Sequence, residues 1–376
     1  MVQILKLDTS TRRDAQRFVQ FPFDLYRDCP YWVPPLRSDA MRQVDPGRNP
    51  YFLHSEAAFF LAQQGKEVVG RIVAMENRNY ISYHKKRDGF FYLFDTVNDQ
   101  SVADALYAAA SDWCKARGLE RIIGPKGFVV FEGLGMLCEG FDKFPAMGIP
   151  YNHEYYNRLT ENAGLGKEVD FNSFYVHVPD FVLPERVARL ADKVQERRGL
   201  RVRNFRTKAE IRAAVPEVVE TYNRVFTENW EYVPVTREEA AVVADQMLQI
   251  TRPEMVKVIV NKDDQIVGFL LAFINIGKAL QRCKGRLFPL GWLYLLRELD
   301  RSTWLDVNGM GILEEYRGLG GNIIMYNELY KACHGGRYEH ADMTQMSDYV
   351  VRMLSDAHTL GGEKYKVHRI YRKALT

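Results

Sequence analysis

The chain repeats itself, and the repeat is the strongest constraint on its fold. Around Gly70 it reads Glu67-Val-Val-Gly-Arg-Ile-Val-Ala-Met75, and around Gly268 it reads Gln265-Ile-Val-Gly-Phe-Leu-Leu-Ala-Phe273. Both are apolar, strand-like runs preceded by another apolar run across a polar turn: Phe59–Gln63 before Gln64-Gly65-Lys66, and Val256–Val260 before Asn261–Asp264. This pattern predicts a hairpin twice over. Further along, Tyr155–Gly164 and Tyr349–Gly361 each read as a helix stopped by glycine before a strand, Phe171–Val178 in one case and Tyr365–Tyr371 in the other. The first pair of glycines is 198 residues apart and the second pair 197. Two features at nearly one offset imply a duplication, so each half must bury its own copy of the same α/β unit. The predicted fold class is α/β (α+β): two tandem units, each a mixed, mainly antiparallel central sheet flanked by helices. The copies are expected at 1–180 and 200–376. A linker helix at 181–199 should present Val187, Leu190 and Val194 on one face as an amphipathic connector.

Composition narrows the class. Of 376 residues, 47% are hydrophobic and 26% charged, enough for packed cores and too ordered a mixture for a disordered chain. Fifty-one Lys+Arg against 48 Asp+Glu gives a net +3, which offers no electrostatic case for nucleic acid. The longest apolar run, Leu287–Leu296, falls well short of the ~20 residues of a membrane span. Five scattered cysteines form neither a disulfide framework nor a CxxC metal site, and His334 and His340 lack metal-ligand spacing. The N-terminus has no signal-peptide pattern. The expectation is a soluble, cytoplasmic protein without a metal.

The densest local motif is Gly311–Leu329, where a strand runs into Arg317-Gly318-Leu319-Gly320-Gly321 and an apolar-periodic helix begins at once. Such a turn lets backbone N–H groups at the start of a helix face an anion, and a diphosphate is the natural guest. The same turn also serves, without a ligand, as a tight strand-to-helix connection. No Lys-Ser/Thr follows it, so it is not a Walker loop, and no acidic partner makes it a dinucleotide fingerprint.

In its context of hairpin, strand, Arg-Gly-x-Gly-Gly, helix, strand, helix and strand, the chain resembles the GNAT acyltransferase superfamily. That superfamily's pyrophosphate loop reads Gln/Arg-x-x-Gly-x-Gly/Ala; the window here opens on Glu315 instead. The resemblance implies that Ile312, Leu313, Arg317, Gly318, Leu319, Gly320, Gly321 and Asn322 hold coenzyme A or acyl-CoA, mainly through main-chain amides. It covers the second copy well and the first more weakly. The first copy has only Thr96-Val97-Asn98-Asp99 at the equivalent place, which implies a degenerate unit without a cofactor site. The stretches Phe21–Tyr26, Trp32–Leu36, Gly124-Pro125, Asn229–Pro234, Gly285–Pro289 and His368–Tyr371 look like a bacterial tandem-GNAT branch, some members of which are similar to bacterial ceramide synthases. The implied activity is acyl transfer from a CoA thioester to an amine, long-chain (sphingoid-like) or amino-acid-like. The alternatives are acetylation of a small polar amine and non-catalytic acyl-CoA binding.

Amide formation needs a base for the ammonium, a donor for the oxyanion and an acid for the thiolate. The resemblance implies a backbone donor on a splayed strand, expected at Gly268–Asn275 with Gly311–Leu313 leading into the loop. The acid of many relatives is a Tyr four residues before the last helix's terminal Gly, and Ala357 stands there. Tyr349, His368 and Tyr371 are the candidate substitutes, and Glu228 is the candidate base, each with an ordinary structural role as the alternative. The insertion Lys278–Ser302 reads either as a helical cap or as an apolar wall or membrane contact with basic flanks. The expected partners are a small-molecule or lipid amine substrate and, through this insertion, a peripheral membrane surface; nucleic acid is not expected, and the sequence leaves the oligomeric state open.

Overall fold

A computed structural model describes residues 1–129 and 132–375, so Thr376 and Val130-Phe131 lie outside the described residues. Two compact units form, each taking pieces from both halves of the sequence: Met1–Phe171, Gly277–Leu295 and Lys366–Thr376 in the first, Asn172–Ile276 and Leu296–Tyr365 in the second.

The first unit is built on β1 (Val2–Leu7), β2 (Glu56–Gln64), β3 (Glu67–Glu76), β4 (Asp88–Thr96), β5 (Arg121–Gly124), β6 (Met136–Glu139) and the start of β7 (Gly166–His177). β1 to β4 pair antiparallel in order, and β5 lies parallel to β4 with Asp88 opposite Arg121. The second unit repeats this with β8 (Arg201–Asn204), β9 (Val256–Val260), β10 (Ile266–Ile274), β11 (Trp304–Ile312) and β12 (His340–Ser347), where β12 is the parallel strand. The register repeats as well, since Gly70 faces Thr96 and Gly268 faces Ile312. The last strand, β13 (Glu363–Ala374), returns to the first unit, where Tyr371 faces Gly124 of β5. β7, the closing strand of the first copy, lies next to β12. The copies therefore exchange closing strands, which is why sequence repeats and compact units divide the chain differently.

Local signals explain the elements. The helices Arg12–Leu25 and Lys208–Val225 begin at equivalent threonines, with Thr11 and Thr207 accepting from the amides of Asp14 and Glu210 three residues on. That satisfies an orphan donor at each helix start. The helices Tyr155–Asn162 and Val351–Thr359 end before Gly164 and Gly361, whose φ values of 84° and 76° a side chain would oppose. The Gln100–Lys115 helix buries Val102, Leu106 and Tyr107 in the first core with Ile72, Phe91 and Tyr371. Each such side chain contributes ~1.5–3 kcal/mol by leaving water.

Two expectations change. The Glu185–Arg198 helix buries Ala191 and leaves Leu190 exposed, so its packing face is Val187, Ala191 and Val194. It lies on the glycine turn and the helix after it, and thus forms part of the second unit instead of a free connector. The insertion Lys278–Ser302 splits in character. Its Gly277–Cys283 helix is a cap, with Ala279, Leu280 and Cys283 buried, while Phe288–Leu296 is largely exposed. Within the first unit the cap joins motifs distant in sequence. Gln281 donates to the carbonyls of Pro30 and Trp32, the Arg37 amide donates to the Gly285 carbonyl, and Arg37 lies 3.8 Å over the Phe23 ring.

Candidate active site

The glycine turn opens on a groove in the second unit. β10 stays paired with β11 from Gly268 to Ile274, with a register shift opposite Asn308. β11 pairs with β12 from Trp304 to Val307, then continues to Ile312 paired with β10 and parted from β12. The splayed strand is therefore β11, parting from β12, and not the expected Gly268–Asn275 strand, which stays paired with β11 on both sides of the shift at Asn308. The opening is a groove of about 600 Å³ that includes the solvent at its mouth. Met310, Gly311 and Ile312 line one side, Val225, Phe226, Glu228 and Asn229 another, and Arg317, Asn322, Met325 and Tyr326 a third. Val350, Met353 and Asp356, three residues apart on the Val351–Thr359 helix and its cap, complete it.

The turn itself folds around its glycines. Gly320 has φ 92° and ψ 9°, a conformation that β-carbon sterics disfavour. A side chain there would start 2.7 Å from Val194, and one at Gly321 would overlap Ile312. Packing thus demands both glycines on their side-chain faces. The Asn322–His334 helix starts at once, and among the described residues no side chain caps it. The 317–321 turn before it is π-helical and the Asn322 amide donates to the Gly320 carbonyl, so what this end offers an anion is its positive dipole with no carboxylate upon it. The first unit differs here: the Gln100–Lys115 helix is capped by Asp99, which accepts from the Ser101 amide at 2.8 Å and hydroxyl at 2.7 Å. The Ser101 hydrogen bonds hold the Asp99 carboxyl below its usual range. A carboxylate of the chain itself sits at that helix start, where the second unit has none among the described residues.

The other turn residues divide by role. Ile312 lines the groove, whereas buried Leu313 donates its amide to Val267. Arg317 lines the groove but spends its Nε–H on the Ile312 carbonyl at 3.0 Å, fixing the turn. Leu319 is exposed, and Gly318 lies in the turn. Glu315, the departure from the superfamily pattern, pairs with Arg224 at 2.8 Å, which offsets its charge beside the glycine turn.

The catalytic candidates separate. Glu228 lines the groove. Tyr349 is exposed and is not among the groove-lining residues. His368 and Tyr371 belong to the first unit, fully buried, and do not line the groove. Tyr371 donates to Asn157 at 2.9 Å, and His368 Nε2 lies 3.0 Å from the Pro150 carbonyl. Both follow the exchanged strand β13, which the linear division at 200 hides. Asp356 and Tyr326 were missed. Asp356 stands next to the Ala357 position that was inspected, and the i, i+3, i+6 face Val350-Met353-Asp356 was the signal for it.

His368 carries a pH prediction. Burial, helped by Lys366 and opposed by the Pro150 carbonyl, pushes its pKa down to about 4. Between that value and the unfolded ~6.5 the unfolded chain binds the extra proton, so stability falls as pH falls through this window. The loss from pH 7 to 4 should reach roughly 3 kcal/mol at most. His368→Gln should flatten that part of the melting temperature–pH curve, and an unchanged slope would assign it to other groups.

No family model matches the chain. It is 28% identical over 373 residues to protein YghO of Escherichia coli, covering 97% of this chain and 94% of that one. It is 26% identical over 382 residues to a bacterial ceramide synthase of Caulobacter vibrioides, covering 98% and 97%. Among solved structures it matches a tandem GNAT protein from the clavulanic acid biosynthesis pathway with a TM-score of 0.57 at 9% identity, over 100% and 99% of the two chains. It also matches a GCN5-related N-acetyltransferase from Sphaerobacter thermophilus with a TM-score of 0.51 at 13% identity, over 100% and 96%. The repeated sheet, the splayed strand, the glycine turn and these whole-chain likenesses make this chain a tandem protein of the GNAT fold.

Proposed function

We propose that the second unit binds an acyl-CoA and that the protein transfers the acyl group to an amine, with a long-chain amine as the acceptor class. The observation that carries this is the uncapped turn at residues 317–322 opening onto a groove whose lining includes two carboxylates, Glu228 and Asp356. The start of the Asn322–His334 helix and Asn322 would hold the diphosphate, while the β12-facing edge of β11 beyond Val307 offers main-chain groups to the rest of the carrier and to an oxyanion. Glu228 or Asp356 takes the ammonium proton, directly or through water, so that the free amine attacks the thioester carbonyl carbon. As the carbon–sulfur bond breaks, Tyr326, the one hydroxyl among the groove-lining residues, returns a proton to the thiolate. The Met310, Met325, Met353, Val225 and Phe226 wall suits an aliphatic chain. The ceramide synthase likeness supports a lipidic amine over a small polar one.

The test is thermal stabilisation by acetyl-CoA and by a long-chain acyl-CoA, with Asn322→Asp as the control. Both ligands should raise the melting temperature, the long chain more, because a ligand that binds only the folded state stabilises it by mass action. Asn322→Asp keeps a residue that favours a helix start, so the unliganded protein should melt no lower. Its carboxylate opposes a diphosphate and should weaken both ligands ~10- to 30-fold, about 1.4–2 kcal/mol. No shift with either ligand removes the acyl-CoA reading, and an unaltered affinity in the variant moves the ligand away from this turn.

A further inference from the structure

We propose that the Phe288–Leu296 segment with its basic flanks docks the protein on an anionic lipid bilayer, independently of whether the groove performs acyl transfer. Among the described residues fourteen large apolar side chains are exposed, and six of them, Phe288, Leu290, Trp292, Leu293, Tyr294 and Leu296, fall in this one nine-residue stretch. Phe288 is 80% exposed and Leu296 57%, far beyond partly covered edge residues. Scattered exposed leucines are ordinary; a contiguous cluster marks a surface with something to cover it.

Charge selects the occupant. Lys278, Arg282, Lys284 and Arg286 precede the cluster along the chain and Arg297 and Arg301 follow it on the same helix, all of them exposed. Against these six cations the segment Lys278–Arg301 has two acids, Glu298 and Asp300, a net +4 in a chain whose total is +3. The rest of the protein is slightly acidic, so the positive excess coincides with the exposed apolar side chains. A second copy seated on this face by a two-fold contact would set the six cations against their own copies. An anionic bilayer takes both halves of the pattern: leucine and phenylalanine enter the acyl boundary, Trp292 and Tyr294 sit at headgroup depth, and the cations meet lipid phosphates. Among the described residues no helix is long and apolar enough to cross a membrane, so the contact is with the surface.

The experiment is co-sedimentation of the full chain with phosphatidylcholine vesicles, with and without about 30 mol% phosphatidylglycerol, at roughly 0.1 and 0.5 M salt. Leu293→Glu/Leu296→Glu leaves Trp292 as a fluorescence reporter and changes only exposed positions, so the melting temperature should hold. The wild type should pellet with the anionic vesicles, with a blue shift of Trp292 emission and at least tenfold weaker binding on pure phosphatidylcholine or at high salt. The double variant should bind at least tenfold more weakly. Arg297→Glu/Arg301→Glu should erase the preference for anionic lipid. Failure to pellet, or a double variant that binds like the wild type, overturns the proposal. So does a wild-type dimer in size-exclusion chromatography that the leucine variant dissociates while neither protein binds vesicles.

Discussion

Replacing both groove carboxylates, Glu228→Gln together with Asp356→Asn, will lower kcat/KM for acyl transfer roughly 10³-fold while leaving the acyl-CoA Kd within about threefold. An aliphatic amine is almost wholly protonated near neutral pH, and an ammonium nitrogen has no lone pair to attack a carbonyl. The acid–base step therefore lies on the path of every turnover, and general-base catalysis of this kind is typically worth 10²–10⁴ in rate. Glu228 follows the Lys208–Val225 helix and Asp356 projects from the Val351–Thr359 helix, so the groove has a carboxylate on two independent elements. Either can relay a proton through water, so each single variant should lose only about tenfold, with the double exceeding either loss. Neither carboxylate belongs to the turn at 317–322, and thermal stabilisation by acyl-CoA should persist in the double variant. A double variant that keeps a tenth of the wild-type rate would place the base elsewhere. Loss of acyl-CoA stabilisation along with the rate would show that the two groups support the groove instead of the proton transfer.

What could be read from the sequence depended on the range of the interaction. The two hairpins, the linker helix and the closing helix–glycine–strand units follow from apolar period and from glycine, and their positions agree with the structure to within a few residues. The glycine turn was legible for the same reason, because a backbone that must bend at one place leaves Gly320 in the sequence. Partnership between strands left no such mark. Nothing in Lys366–Ala374 says that it pairs with β5 of the first copy, and that exchange took His368 and Tyr371 into the first unit. The packing face of the linker helix was misjudged because Leu190 fits the helical period as well as Ala191 does; contact with the compact glycine turn favours the smaller residue. The Asp356 carboxylate was missed because a family position was inspected instead of a helix face. For the exchanged strand and the linker face a long-range contact, absent from any local window, settled the outcome, whereas Asp356 lies on a helix face that the local period does show.

Arg71→Met will destabilise the protein by about 3–5 kcal/mol without weakening acyl-CoA binding, because a buried polar network of the first unit occupies repeat positions whose counterparts line the groove in the second. Arg71 faces Asp95 across β3 and β4, as Phe269 faces Gly311 across β10 and β11. Where the second unit has the bare groove wall of Gly311, the first has the Asp95 carboxylate, nearly buried and 2.7 Å from Arg71 Nε. Its other oxygen accepts from the Tyr26 hydroxyl at 3.0 Å, and the Tyr26 oxygen, its proton spent on Asp95, lies 2.8 Å from the Tyr156 hydroxyl as an acceptor. Tyr156 stands 197 residues before Met353, a groove-lining residue of the second unit. Burial first, then the neighbouring acidic groups, holds both phenols far above their usual range, so they remain protonated donors. Removing the guanidinium leaves Asp95 buried with hydroxyl partners only and also removes the Arg71 bond to the Phe18 carbonyl. Breaking one side of a buried ion pair costs far more than the pair contributes. Arg71→Met/Asp95→Leu should therefore recover part of the loss in a double-mutant cycle. Denaturant titration measures the first effect and thermal shift with acyl-CoA the second. A single variant that loses less than about 1 kcal/mol would mean that water reaches Asp95 and that the network is not a sealed plug. A variant that loses acyl-CoA binding while remaining folded would mean that the first unit takes part in holding the ligand, against its reading as a copy whose site has closed.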